Sequence, residues 1–321
     1  MSSLPVIAPD VALGGALALL SMLTYGACMV LVSVGMRKMR SEPGSLLAAA
    51  AGVPAGLLVS ALQLAFGEVR PGITAWAVLA FALAGIFSTY LGRWLVFKSI
   101  ELIGPSGSAA LQSTSPLLTA LFAWVFLGET VGWMGMLGIV LAILGLVSMS
   151  LGLHRRAAGN APAGGGPRPA NTMLWGTLLF GVASAAAYSG SHIARGFAVR
   201  IWNEPLLGTS IGAAAGLLAL LVASRNKLPV YRREILANRK GAALFAGIGV
   251  LQFIAQSLVI ASMRYIPVSV AALISMCTPL VVMPVSYFLL RNQERLNRVM
   301  VLGILITLSG AAMSLLYAGK H

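Results

Sequence analysis

Charge is the scarcest commodity in this sequence. Asp10 is the only aspartate, and charged residues of both signs fill 9% of the 321 positions, against about 25% in an ordinary soluble domain. A water-soluble globule of this composition would lack polar surface, so the soluble classes drop out. Glu42, Glu68, Glu101, Glu129, Glu204, Glu234 and Glu294 all fall in connections or at the ends of apolar runs. No acid pair, Ser-His-Asp set or metal cluster can be assembled from such a chain, which excludes the enzyme readings that need one and leaves no reason to expect a cofactor or metal. Cys28 and Cys277 both lie within apolar runs, as buried small residues do, and suggest no disulfide. No Lys or Arg precedes the first run, so the first segment reads as a retained helix and not a cleaved signal.

Hydrophobic length is abundant instead. Hydrophobic residues make up 58% of the chain and its mean hydropathy is +0.90. Runs of about 20 apolar residues, enough to cross a hydrocarbon core of about 30 Å, recur throughout. Charged or Pro/Gly-rich breaks divide them into ten expected helices: 12–35, 45–66, 74–97, 105–127, 132–152, 173–196, 205–223, 241–263, 267–289 and 298–318. The fold class expected is an all-α, ten-span integral membrane protein, with the lipid bilayer as its solvent. The net charge of +14 sits mainly in the connections, where it reports topology and lipid contact and not nucleic acid.

The chain repeats itself. Ser99–Pro116 aligns without a gap on Ser262–Pro279, an offset of 163 that also pairs Tyr25 with Tyr188 and Arg37 with Arg200. One residue less pairs Glu42-Pro43 with Glu204-Pro205; two more pair Glu129 with Glu294, Gly138 with Gly303 and Gly145 with Gly310. This ordered series gives a first repeat over 1–153, a Gly/Pro-rich flexible linker over 154–172 and a second repeat over 173–321. Five spans per half force the second half to enter the membrane inverted, the arrangement on which many secondary transporters are built.

The run from Pro105 through Gln112-Ser113-Thr114-Ser115-Pro116-Leu117 to Phe126-Leu127-Gly128-Glu129, followed by Gly138 and Gly145, resembles the ten-helix EamA-like branch of the drug/metabolite transporter superfamily. Its echo runs from Pro267 through Ser275-Met276-Cys277-Thr278-Pro279-Leu280 to Leu290 and Glu294, with two extra residues where the first half reads Gly-Glu. The resemblance implies a central cavity lined by spans 1, 3, 4, 6, 8 and 9, with spans 5 and 10 as a scaffold. The glycines seven apart fit that role, because missing side chains let helices approach closely in lipid. Packing within the chain gives a monomer; the Gly138/Gly145 and Gly303/Gly310 faces would otherwise suit a homodimer.

Polar residues inside the runs are the candidate substrate-binding set. Thr89 and Arg93 share a face of the third span, and their repeat mates are Gln252 and Gln256 on the eighth. An Arg there costs roughly 2.5–3.5 kcal/mol on insertion scales, so Arg93 either binds cargo or snorkels to the headgroups. Tyr25 and Tyr188 suit flat organic groups or plain packing, and His192 suits a proton carrier or a hydrogen-bonded packing residue. Gln112, Ser115, Ser275 and Thr278 add hydroxyl and amide groups. Pro116 and Pro279 are expected to bend their helices.

These residues predict a secondary transporter, an exporter or exchanger, of small polar or amphipathic metabolites, with amino acids the first class: a carboxylate would meet Arg93. Anionic phosphorylated or nucleotide-linked metabolites form the alternative, favoured if Arg195 joins Arg93 in the cavity. A non-transporting receptor or scaffold, favoured by a dry centre, is the other. The expected location is a plasma membrane, the bacterial inner membrane. The cation count places both termini outside, whereas the family resemblance implies both in the cytoplasm.

Overall fold

The computed structural model describes residues 9–66, 73–95, 98–99, 112, 114–130, 132–159, 171–278, 280–281 and 298–317. Helices account for its regular structure: α1 Pro9–Met36, α2 Ser41–Phe66, α3 Ala75–Gly85, α4 Ser115–Leu127, α5 Trp133–Gly159, α6 Asn171–Ile201, α7 Pro205–Ser224, α8 Leu228–Ala237, α9 Arg239–Ser262, α10 Val268–Met276 and α11 Arg298–Leu316. Five stretches among the described residues are long and apolar enough to cross a membrane: α1, α2, Ala75–Leu95, Pro205–Ala237 and α9. α4 and parts of α5 and α11 are shorter apolar helices. Leu57, Leu58, Leu64, Trp76, Trp124 and Trp133 stand exposed on the outer surface, a patchwork that water would not tolerate and lipid does.

The helix ends follow local chemistry. Thr74 caps α3 by accepting from the Ala77 amide at 3.3 Å, and Asn238 caps α9 by accepting from Gly241 at 2.9 Å. Pro205 and Pro229 sit in the first turns of α7 and α8, where a missing amide costs nothing. Two expectations shift. The sixth span runs to Ile201, five residues beyond its expected end, and so carries Arg195 inside the bundle. α5 reaches Gly159 and α6 begins at Asn171, so helix extends into both ends of the expected linker; residues 160–170 lie outside the described set.

α8 is unexpected. Its sequence LPVYRREILA alternates cations with apolar residues, buries Tyr231 and leaves Val230 and Leu236 exposed, the pattern of a helix lying at an interface. Arg40 reaches it from the α1–α2 turn, its Nε 2.8 Å from Glu234, and that guanidinium holds the Glu234 carboxyl below the usual carboxylate range.

Packing follows the repeat. Taking α1/α6, α2/α7, α3/α9, α4/α10 and α5/α11 as mates, the main contacts have counterparts: α1 on α9 as α6 on α3, α2 on α9 as α7 on α3, and α4 on α6 as α10 on α1. α2–α7, α4–α10 and α5–α11 join mates to each other, whereas α7 on α9 has no counterpart of similar extent among the described residues. The α5–α11 seam is made of glycine: a Cβ on Gly138 would lie 2.6 Å from the Ser314 amide and 2.7 Å from the Gly310 carbonyl, and one on Gly145 would lie 2.6 Å from the Gly303 carbonyl. Gly138, Gly145 and Gly310 are thus packed against the opposite helix within the chain.

Gly138→Ala is therefore expected to force the seam apart and cost about 1–3 kcal/mol, read as a lowered melting temperature in detergent. Gly247→Ala in α9 is the contrast: nothing lies within 4 Å of its Cβ position, so the helix should gain up to about 1 kcal/mol.

Candidate functional site

A cavity of about 530 Å³ lies between the halves. Its floor is Phe81 and Ile260, and it rises past Tyr25, Tyr188, His192, Arg195 and Gln256 to Met36, Ser41 and Arg93 at the end where α1 finishes and α2 and α9 begin. Below the floor the helices close. Phe81 meets Trp202 edge-on at 6.4 Å, and Ala18, Ala123, Val259, Met263, Ile266 and Val268 pack around them as the main buried cluster. The cavity has one accessible end and one sealed end.

α3 changes pitch at this level. Ile86–Gly92 widens into a π-helical turn, a local distortion that concentrates at functional sites. It aims Ser88 and Thr89 inward. Gly216 sits against Thr89, where an added Cβ would lie 2.7 Å from the Thr89 Cβ, and Gly92 lies against the Tyr188 ring. Small residues thus set how closely α3 approaches α6 and α7.

The centre of the site is Arg195, 6% exposed. The neighbouring groups fix the Gln256 amide with its oxygen facing the guanidinium, 2.6 Å from Nη1, 3.0 Å from Nη2 and 3.1 Å from Nε, while its nitrogen donates to the Tyr25 hydroxyl at 2.7 Å. Arg195 Nη2 also donates to Ser88 Oγ at 2.9 Å, which donates onward to the Ala84 carbonyl at 2.9 Å. One chain of hydrogen bonds therefore ties α1, α9, α6 and α3 together across both repeats.

The expected residues take distinct places. Tyr25, Thr89, Arg93, Gln112, Tyr188, His192, Gln252, Gln256, Ser275 and Thr278 all line the cavity. Gln112 donates to Ser184 Oγ at 2.8 Å, and Ser275 and Thr278 bond their own helix's carbonyls. Ser115 is wholly buried and bonds Ser189 at 3.1 Å, so it joins α4 to α6 away from the cavity wall. Pro116 stands in the first turn of α4; Pro279 lies outside the described residues. His192 is 5% exposed, and its Nδ1 has no partner among the described residues. α2 and α7 line the cavity as well, through Ser41, Ser45, Gly52, Gly208, Thr209 and Gly212. Their contribution enlarges the six-span lining expected from the resemblance.

Sequence reasoning centred the site on Arg93 and Gln256, yet Gln256 engages Arg195. Arg195 lies one residue inside the expected end of the sixth span, and the sequence offers it only as a second cation beside Arg93. The hint was its spacing: Tyr188, His192 and Arg195 recur at four and three residues, one helical face.

A second cluster holds the sealed end. Gly128 adopts a left-handed conformation at φ 64°, turning the chain so that Glu129 faces the other repeat. Glu129 pairs with Arg200 of α6 and accepts from the Val268 amide, the first of α10, at 3.1 Å. Arg200 also donates to the Leu127 carbonyl at 3.0 Å. One carboxylate thus caps a helix and pairs a cation across the repeats.

The chain matches the EamA-like transporter family twice, over residues 12–151 and 174–316, and it belongs to that family. It is a multi-pass membrane protein of two-repeat architecture. A solved structure titled only "Crystal structure of protein" shares the fold: the alignment covers 97% of this chain and 98% of that one, with a TM-score of 0.65 at 19% identity. No curated protein matches it in sequence.

Glu129→Ala is expected to lower stability by about 1–3 kcal/mol, since Val268 and Arg200 lose their shared acceptor. Arg200→Gln should cost less, because Arg200 is nearly half exposed. Melting temperatures in detergent should rank parent above Arg200→Gln above Glu129→Ala.

Proposed function

We propose that this protein is a secondary transporter, an exporter or exchanger, that carries small metabolites across a bacterial inner membrane by alternating access. Ten spans in two inverted five-helix repeats complete the reading. The observation that carries it is the cavity between the halves, open towards one end and sealed at the other by apolar packing and the Glu129 clamp. Halves with equivalent contacts can exchange roles, which would close the first end and open the second. A receptor or scaffold would favour a packed, dry centre, and a 530 Å³ cavity whose largely apolar wall carries Arg195, Arg93 and Gln256 weighs against it.

Amino acids and phosphorylated or nucleotide-linked metabolites both bring an anionic group to the arginines. The second class gains from Arg195 lining the cavity together with Arg93. The cavity opens on the side that carries Arg37, Lys38, Arg40, Lys227, Arg232 and Arg233, which the charge rule assigns to the cytoplasm.

Counterflow in proteoliposomes across a metabolite panel tests transport. The parent should exchange at least one compound, and Gln256→Ala should slow it tenfold or more. Absence of counterflow from folded parent protein across the whole panel would return the receptor reading. A reporter fused after His321 that works only in the cytoplasm would reverse the stated orientation.

A further inference from the structure

Arg195 is buried among neutral partners. Its guanidinium meets the Gln256 carbonyl and the Ser88 hydroxyl, and neither carries charge. Among the described residues no Asp or Glu lines the cavity. The ion pairs described all lie at the helix ends: Arg40 with Glu234, Lys227 with Glu42 and Arg200 with Glu129. Arg93 adds a second guanidinium to the same wall. A buried cation is costly without a counter-charge, and two of them in one low-dielectric cavity raise that cost.

The rest of the wall sorts cargo by what it lacks. An anionic group finds two guanidinium groups and the Tyr25 hydroxyl. An ammonium finds only neutral acceptors and repulsion from both arginines. The apolar body of a ligand finds Phe245, Phe253, Met29 and Met276. Taking the cavity as the cargo site of a transporter, we propose that the cargo is an amine-free organic anion, a carboxylate or a phosphate ester, whose negative group docks on Arg195 and supplies the counter-charge that the protein leaves out. Arg93, nearer the mouth, is the second cation that receives it. This replaces amino acids as the preferred class.

Matched pairs test it in nanodiscs carrying the full chain: 3-phenylpropionate against phenylalanine, succinate against aspartate, and glycerol 3-phosphate against glycerol. Thermal stabilisation and titration should show at least one amine-free anion binding tenfold or more tighter than its partner; the winning pair tells carboxylate from phosphate. Arg195→Gln should lose that binding at least tenfold, with Arg195→Lys losing less. Because Arg195→Gln also removes the hub of the hydrogen-bond chain that joins the helices, Gln256→Glu is the decisive variant. It sets a resident carboxylate against the guanidinium, so it should fold, and anion binding should disappear. Equal or tighter binding of the amino acids, anion binding that survives Gln256→Glu, or no stabilisation by any anion would each overturn the proposal. Counterflow separates the two readings: binding without counterflow sinks transport alone, whereas counterflow of a neutral or cationic solute that ignores these anions sinks the anion site alone.

Discussion

Lipid gives apolar side chains no reason to leave it for protein, so helices in a bilayer are held by close backbone approach and by buried polar contacts. Everything else here depends on that constraint. The α5–α11 seam meets it with glycines that interlock with carbonyls and amides of the opposite helix. At Gly85 against Gly212, and Gly249 against Ala48, backbones touch across the repeats in the same manner. Gly208 takes the Phe81 ring and Gly52 faces the Gly249 carbonyl in the same way, at the border of the cavity.

Polar contacts do the remaining work and divide by depth. At mid-bundle they are neutral or singly charged: Tyr25, Gln256, Arg195 and Ser88 form one connected chain. Among the described residues carboxylates appear only towards the helix ends, where Glu129 bridges two elements of the other half and Glu234 ties α8 to the α1–α2 turn. The division follows from cost, since an ion near the headgroups recovers solvation that one at the centre does not.

Much of this was legible in the sequence, and the failures share a cause. Hydropathy and the repeat offsets pointed to an all-helical membrane protein of two repeats, the glycine seam and most polar residues of the cavity wall. Three features escaped. α8 is too polar for a span and too short to stand out in a basic connection. The inward role of Glu129 depends on the left-handed turn at Gly128, which brings distant α6 and α10 to one carboxylate. Arg195 escaped because the search relied on repeated positions. Its mate by offset is Val32, so the symmetry that located Tyr25, Tyr188, Arg93 and Gln256 passed over it.

The lack of a twin has its own consequence. A carrier built from two interchangeable halves has no intrinsic reason to treat its two faces differently, for each state is the other turned upside down. Arg195 belongs to one half only. Arg93 is unmatched as well, since its mate is the neutral Gln256. On the proposed reading, a cargo docked on these arginines would sit off the pseudo-symmetry axis and meet a different wall when the halves exchange roles, so the two faces would differ in affinity while the gradients set the direction.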